Sequence, residues 1–457
     1  MIKSILRILI LILIIFPTFT AKGQDQLSPS TLNELLKQAV ANYPLLKSKG
    51  YEVQAAEKGV NASQRSLVPS LDASYQANYA TYNNIIGMAL PTFLIPISGP
   101  PSPSNNYSGV FGSGASMVLN WQPVTFGQRS AQVDYSKAGL QQTTADSQNE
   151  IFQHKVRVIN AYLDVLVSNE LVKVYEKNYS RTETNLKTIK SLVISGIKPG
   201  VDTAMYKAEI SRAKIDLLNF RKYNQQTLIT LSQFLASDKT IYVNDSSYFT
   251  RLPLVSLTAD SVRHPLLLLF DSNLDLTKAK LRILNRTMLP TLGFWGTTYA
   301  RGSGISYNGT VNSPDGLSFQ RYNYGIGVQL SLPILQAVRI NPQLQQQELL
   351  IKSNEEKLLD VSLQLRKELE MADTTLNNAL ATAKENPILL QSTEFSYRAM
   401  LSRYQSGLVN YADLIQTQYL LIKAESENKT AYINAWKALL LKAAVKGDIN
   451  LFLIQVN

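Results

Sequence analysis

The side chains that could do chemistry in this chain are few. There are two histidines, His154 and His264, and no cysteine. Disulfides and thiolate metal sites are therefore excluded. His154 falls inside a helical stretch and His264 at a proline corner, so no histidine-based metal site or triad is assembled, and both read as structural or solvent-facing. No glycine-rich phosphate loop follows a strand, and Gly325-Ile326-Gly327 reads as the small-residue face of a strand. Paired carboxylates such as Glu355-Glu356 lie on a helical stretch that implies no pocket. Two aspartates are placed alike: Asp202 lies six residues after Gly196, and Asp413 six after Gly407. A carboxylate in the first turn of a helix stabilises its dipole. Catalysis is unsupported, and no cofactor or metal is expected.

The elements that hold these residues come in duplicate. Tyr43-Pro44-Leu45-Leu46 recurs as His264-Pro265-Leu266-Leu267, and Val68-Pro69-Ser70-Leu71 as Leu289-Pro290-Thr291-Leu292, with 25 residues between the prolines of each copy. Val118 to Pro123 matches Val328 to Pro333, and Arg129 and Arg339 each follow six residues later. Ser195-Gly196 and Ser406-Gly407 then follow at separations of 67 and 68 from those arginines. Two helix-strand-strand-helix units of one length and order are present. The first spans 24–236, with strands at 70–82 and 111–122, a long helix at 128–194 and a return helix at 200–236. A connector covers 237–262. The second unit spans 263–446, with strands at 291–301 and 322–332, a long helix at 342–405 and a return helix at 411–446, and a tail covers 447–457.

The long helices carry a seven-residue period. Val158, Val165, Val172, Tyr179, Leu186 and Val193 interleave with Ala161, Ser168, Tyr175, Thr182 and Ile189, and the second copy repeats the period at Leu344, Ile351, Leu358, Leu365, Ala372 and Ala379. This is a coiled-coil seam on rods of roughly 100 Å. Asn341-Pro342 reads as an N-cap and first helical residue. Pro387 removes a backbone hydrogen bond and predicts a kink. The first return helix shows a seam of small and apolar residues at Val201, Ala204, Ala208, Ser211, Ile215 and Leu218.

The strands alternate with period two. Leu71, Ala73, Tyr75, Ala77 and Tyr79 oppose Asp72, Ser74, Gln76 and Asn78, and Tyr322, Tyr324, Ile326, Val328 and Leu330 oppose Asn323, Gly325, Gly327 and Gln329. Their length suits tilted membrane strands, although a soluble sheet with one wet face has the same pattern. The loops 83–109 and 302–320 favour the membrane, being far longer than ordinary hairpin connections. Four strands cannot close a barrel, so subunits must share one.

Lys3 and Arg7 precede nine apolar residues, Ile8 to Phe16, with Ala21 and Gly23 beyond. This reads as a secretory signal peptide over 1–23, since roughly 20 apolar residues are needed to span a bilayer. Of the 45 basic residues three lie in this leader, which has no acidic residue, so the formal charge of +11 falls by three on cleavage. The basic residues are scattered without a run, which argues against a nucleic-acid partner.

These landmarks, taken together, resemble the TolC family of bacterial outer-membrane efflux and secretion channels over essentially the whole mature chain. The match rests on Asn42-Tyr43-Pro44, Val68-Pro69-Ser70-Leu71, Gln122-Pro123 and the two Ser-Gly tips. The resemblance implies a mainly α fold with a membrane β part: a long coiled-coil helical tunnel, plus four strands per chain in a shared trimeric twelve-stranded β-barrel. It also implies a homotrimer in outer-membrane lipid, docked on a periplasmic adaptor protein that joins it to an inner-membrane transporter. The family's tips match Gly196 and Ile197, and Gly407, Leu408 and Val409. Its closed entrance places a carboxylate ring at Asp413, with Gln416 where some members have a second aspartate. Tyr404 and Asp202 match a hydrogen-bonded pair that restrains the family's closed helices, whereas Val409 and Val201 replace the members of a second latch.

The expected function is a passive trans-periplasmic exit duct of a tripartite efflux pump or type I secretion system, gated at its periplasmic end. Two alternatives are a surface structural or adhesive protein with a barrel-anchored helical stalk, and a soluble periplasmic coiled-coil adaptor. The apolar loop from Ile85 to Ile97 either folds over the barrel mouth, binds another surface protein, or packs on its own rim.

Overall fold

The computed structural model describes residues 31–81, 83, 104–105, 107–238, 241–254, 263–306 and 310–456. The leader, the apolar loop from Ile85 to Ile97 and residues 255–262 of the connector lie outside the described residues.

Helix α1 (Leu32–Asn42) opens on a capping box, in which Thr31 and Glu34 satisfy each other's backbone N–H groups. Tyr43 is extended, as a residue before proline prefers, and α2 (Pro44–Arg65) restarts the chain. Strands β1 (Ser70–Ala80) and β2 (Val110–Val124) lead into helix α3 (Gln128–Ile194) and its return α4 (Gly200–Leu235). The second copy supplies α5 (Pro265–Arg286), β3 (Thr291–Ser303), β4 (Arg321–Ser331), α6 (Gln336–Gln405) and α7 (Tyr411–Lys446), followed by a short α8 (Asn450–Leu453).

Helix α6 starts six residues before Pro342. Asn341-Pro342 therefore lies within its second turn and does not cap it, because the helix is already launched by the turn at Pro333, whose carbonyl accepts from Gln336 N–H at 3.1 Å. The same helix continues through Pro387 without a break. Neither histidine faces solvent. His154 is fully buried and stacks on Tyr43 at 4.0 Å, while buried His264 caps α5 by accepting from Leu266 N–H at 3.0 Å.

The chain divides into two compact units, and each draws on both sequence copies. One unit (Leu45–Phe152 and Ser261–Glu368) holds the sheet, antiparallel throughout in the order β1-β2-β3-β4. Its apolar side is bare: Tyr322, Tyr324, Ile326, Val328 and Leu330 on β4, with Leu71, Tyr75 and Tyr79 on β1, are each more than half exposed. On the opposite side, the Trp295 indole lies across Gly325 and Gly327, and a Cβ added at Gly327 would come 2.6 Å from the ring. Among the described residues no helix is long and apolar enough to cross a membrane. The loop from β3 to β4 folds against β2, with Gly304 N–H donating to the Phe111 carbonyl at 3.0 Å.

The other unit (Met1–Pro44, Gln153–Asp260 and Leu369–Asn457) is helical. Trp436 of α7 is buried against Tyr248, at 5.1 Å, and Phe452 of the tail, at 5.9 Å. Gln455 brackets Leu254, accepting from its N–H and donating to its carbonyl, and so ties the connector to the tail. Helix α4 does not bury the seam expected of it. Its buried line is Asp202, Tyr206, Ala213, Leu217, Thr227, Leu231 and Leu235, while Val201, Ile215 and Leu218 of the expected seam, and Ile229 two heptads beyond Ile215, are each more than half exposed.

Candidate gate at the hairpin tips

Both hairpins of the helical unit turn by the same device. Gly196 has φ +75° and Gly407 φ +81°. In the first turn Ile197 N–H reaches the Leu192 carbonyl at 2.9 Å and Gly196 N–H that of Val193 at 3.0 Å. In the second, Leu408 N–H reaches Arg403 at 2.9 Å and Gly407 N–H reaches Tyr404 at 3.1 Å. Each is a Schellman motif, which satisfies the orphan carbonyls of a helix end and needs a left-handed residue. No atom lies within 4 Å of where a Cβ would stand on either glycine, so the requirement is one of backbone conformation alone.

Asp202 and Asp413 occupy the same position, third in their helices, and meet different fates. Asp202 is buried and accepts a hydrogen bond from the Tyr404 hydroxyl at 2.6 Å, across from α4 to α6. Burial, and then this carboxylate, hold the Tyr404 phenol well above its ordinary pKa of 10.0. Asp413 is exposed; its backbone N–H is capped by the Asn410 side chain at 2.9 Å. Three residues before the tip glycine, α6 has Tyr404, and α3 has Val193, which offers no hydroxyl.

Lys198, in the first tip, joins the two hairpins. Its Nζ sits 4.1 Å from the centre of the Tyr404 ring and donates to the Val409 carbonyl at 3.2 Å. Val409 is half-buried in a core with Ile189, Tyr206, Tyr397, Tyr404, Leu414 and Leu421. Ile197 and Leu408 are exposed at the tips, and Ile194 and Val201 beside the first tip are exposed as well. Tyr206 packs edge-on to Tyr411 at 4.9 Å, and burial raises both phenols.

Behind the tips runs a polar ladder. Asn185 donates to the Tyr397 hydroxyl at 2.8 Å, Gln418 to Thr182 at 2.9 Å, and Arg181 to both oxygens of buried Glu425 at 2.8 and 3.0 Å. The unequal tip residues Lys198-Pro199-Gly200 and Val409-Asn410-Tyr411 are visible in the sequence as a difference between the two copies, but sequence reasoning missed this ladder. A signal existed for the ladder: Gln418 and Glu425 interrupt the buried stripe of Leu414 and Leu421 at helical spacing. Among the described residues no cluster of His, Cys, Asp or Glu could hold a metal ion.

A mainly helical chain with paired glycine tips and a four-stranded sheet whose apolar side is bare has the build of an outer-membrane efflux channel, whose strands enter a shared barrel. The chain belongs to the outer membrane efflux protein family, whose model matches residues 35–237 and 262–440. It is a transport channel of the outer membrane and not an enzyme. In fold it is similar to the CmeC outer membrane channel of Campylobacter jejuni, with 13% identity and TM-score 0.71 over 91% of this chain and 85% of that one. It is also similar to VceC of Vibrio cholerae, with 14% identity and TM-score 0.70 over 91% and 96%. The open-state MtrE channel of Neisseria gonorrhoeae matches at 14% identity and TM-score 0.68 over 92% and 89%. No curated protein matches the chain. Family membership sets aside the adhesin and the soluble adaptor.

Proposed function

We propose that three copies of this chain form a passive trans-periplasmic duct, closed at its periplasmic end by the hairpin tips and serving a tripartite efflux pump or a type I secretion system. The observation that carries the gate is the buried hydrogen bond from Tyr404 to Asp202, which ties one hairpin to the other beside the tips. The heptad face left bare on α4 supports the assembly: Val201, Ala204, Ala208, Ser211, Ile215 and Leu218 form a narrow seam for a neighbouring subunit. The exposed Ile197 and Leu408 beside Gly196 and Gly407 are the knobs offered to a periplasmic adaptor, with Val409 holding the tip from inside. Asp413 from each copy faces the entrance.

Tyr404→Phe tests the gate. Loss of a hydrogen bond to a charged group costs about 1.5–3 kcal/mol and leaves the Asp202 carboxylate buried without it. Conductance in planar bilayers should rise while the trimer remains heat-resistant on gels. Unchanged conductance with normal assembly counts against the latch.

A further inference from the structure

The strand register sets two arginines face to face. Arg301 near the end of β3 pairs directly with Arg321 at the start of β4. By alternation they share the side of the sheet that carries Trp295, Thr297, Asn323 and Gln329, opposite the apolar stripe of Tyr322 to Leu330. Like charges directly across a strand pair are destabilising, and an arginine side chain stays protonated throughout the working range of pH. Among the described residues nothing neutralises the pair. Among the described residues neither arginine forms an ion pair with a carboxylate, and Arg321 donates only to the Gln320 carbonyl, at 3.4 Å. Asp315, in the adjoining loop, is exposed and unpaired with them. Asp72 shares their side of the sheet but lies level with Val118 and Thr297, four residues along β3 from Arg301, or roughly 13 Å.

The space beside the pair is open. The β2 partner of Arg301 is Gly114, and a Cβ built there would meet a single backbone oxygen at 3.9 Å. Next on β2 stands Ser116, whose hydroxyl bonds that of Ser74 at 2.7 Å. Two unneutralised guanidinium groups thus stand over a floor of glycine and serine.

We propose that Arg301 and Arg321 form an anion-attracting ring in the outlet of the channel, six guanidinium groups in all, which takes small inorganic anions and the anionic groups of cargo. This rests on the trimeric duct proposed above, in which the polar side of the sheet lines the lumen. The two strand ends adjoin the long loop 302–320, so the ring lies at the loop end of the barrel. Rings of Arg or Lys favour anions in pores, and the guanidinium fork matches phosphate oxygens.

The test is a reversal-potential measurement on the purified trimer across a KCl gradient in planar bilayers. Replacing both arginines, Arg301→Gln with Arg321→Gln, should lower the chloride-to-potassium permeability ratio severalfold, and Arg301→Lys with Arg321→Lys should retain the parent ratio. An unchanged ratio in a heat-resistant glutamine trimer overturns the ring and leaves the duct standing. A second measurement needs no variant: pyrophosphate added on the loop side of the parent channel should block current at lower concentration than from the tip side, and equal block from both sides overturns the ring. A parent chain that forms no pore overturns the duct and the ring together.

Discussion

Lys198 bridges the two hairpins with one ammonium group, and its removal separates two contributions. Lys198→Met keeps the stem that covers the tip but loses the bond to the Val409 carbonyl and the charge over the Tyr404 ring. Each is worth about 1 kcal/mol, so together they should make the tips open about thirtyfold more often. Faster proteolysis at 195–202 and 406–411 in an otherwise intact trimer would report it. The tyrosines around this lysine make a pH prediction. Folded-state pKa values raised above 10.0 at Tyr206, Tyr404 and Tyr411 mean that the packed tips bind these protons more tightly than the open ones. Their stabilisation is complete below pH 10 and drains away as pH rises beyond it. A tyrosinate absorbance titration should show a late step that coincides with tip opening, and Tyr206→Phe should shrink that step. The glycine and aspartate positions were legible in the sequence because a repeat doubles their signal. The contrasting fates of Asp202 and Asp413 were not, since equal spacing along two helices says nothing of what stands opposite them.

Helices and strands declare themselves through period, and period reports a face without naming its partner. The seam at Val201, Ala204, Ala208, Ser211, Ile215 and Leu218 has coiled-coil spacing, yet within one chain α4 turns a different line inward, from Asp202 to Leu235. A heptad pattern cannot distinguish a surface buried in the chain from one reserved for a second copy. The start of α6 was hidden for a local reason: Asn341-Pro342 is a good cap, but the turn at Pro333 had already started the helix, which runs on through Pro342 at the loss of one i−4 hydrogen bond. In the sheet, the glycines of β4 read as a small-residue face, and only the cross-strand register shows what they are small for. Trp295 rests on them. Gly327→Ala should therefore force the indole aside and lower the thermal stability of the barrel, as judged by the temperature at which the trimer band is lost. Combined with Trp295→Ala, the same alanine should cost little further, because the three atoms nearest the added Cβ all belong to the indole.

At the scale of the proposed trimeric duct, duplication supplies two similar halves, and the proposed gate rests on their differences. Asp202 is spent inside the chain on Tyr404, which leaves Asp413 as the tip aspartate free to act on the permeating solution. Gln416 adds no second charge one turn further on. In the proposed trimer three exposed Asp413 carboxylates would stand around the axis and attract multivalent cations, so Asp413→Ala should weaken block by such cations added from the tip side. Its effect on the helix itself is small, about 0.3–1 kcal/mol for a charge near a helix start, and assembly should survive. Asp202→Ala occupies the same helical position and carries the same dipole term, yet it should act differently: cation block would persist while resting conductance rises, because it removes the acceptor of the Tyr404 hydroxyl. Identical behaviour of the two variants would mean that helix position, and not the residue facing it, decides what a tip aspartate does.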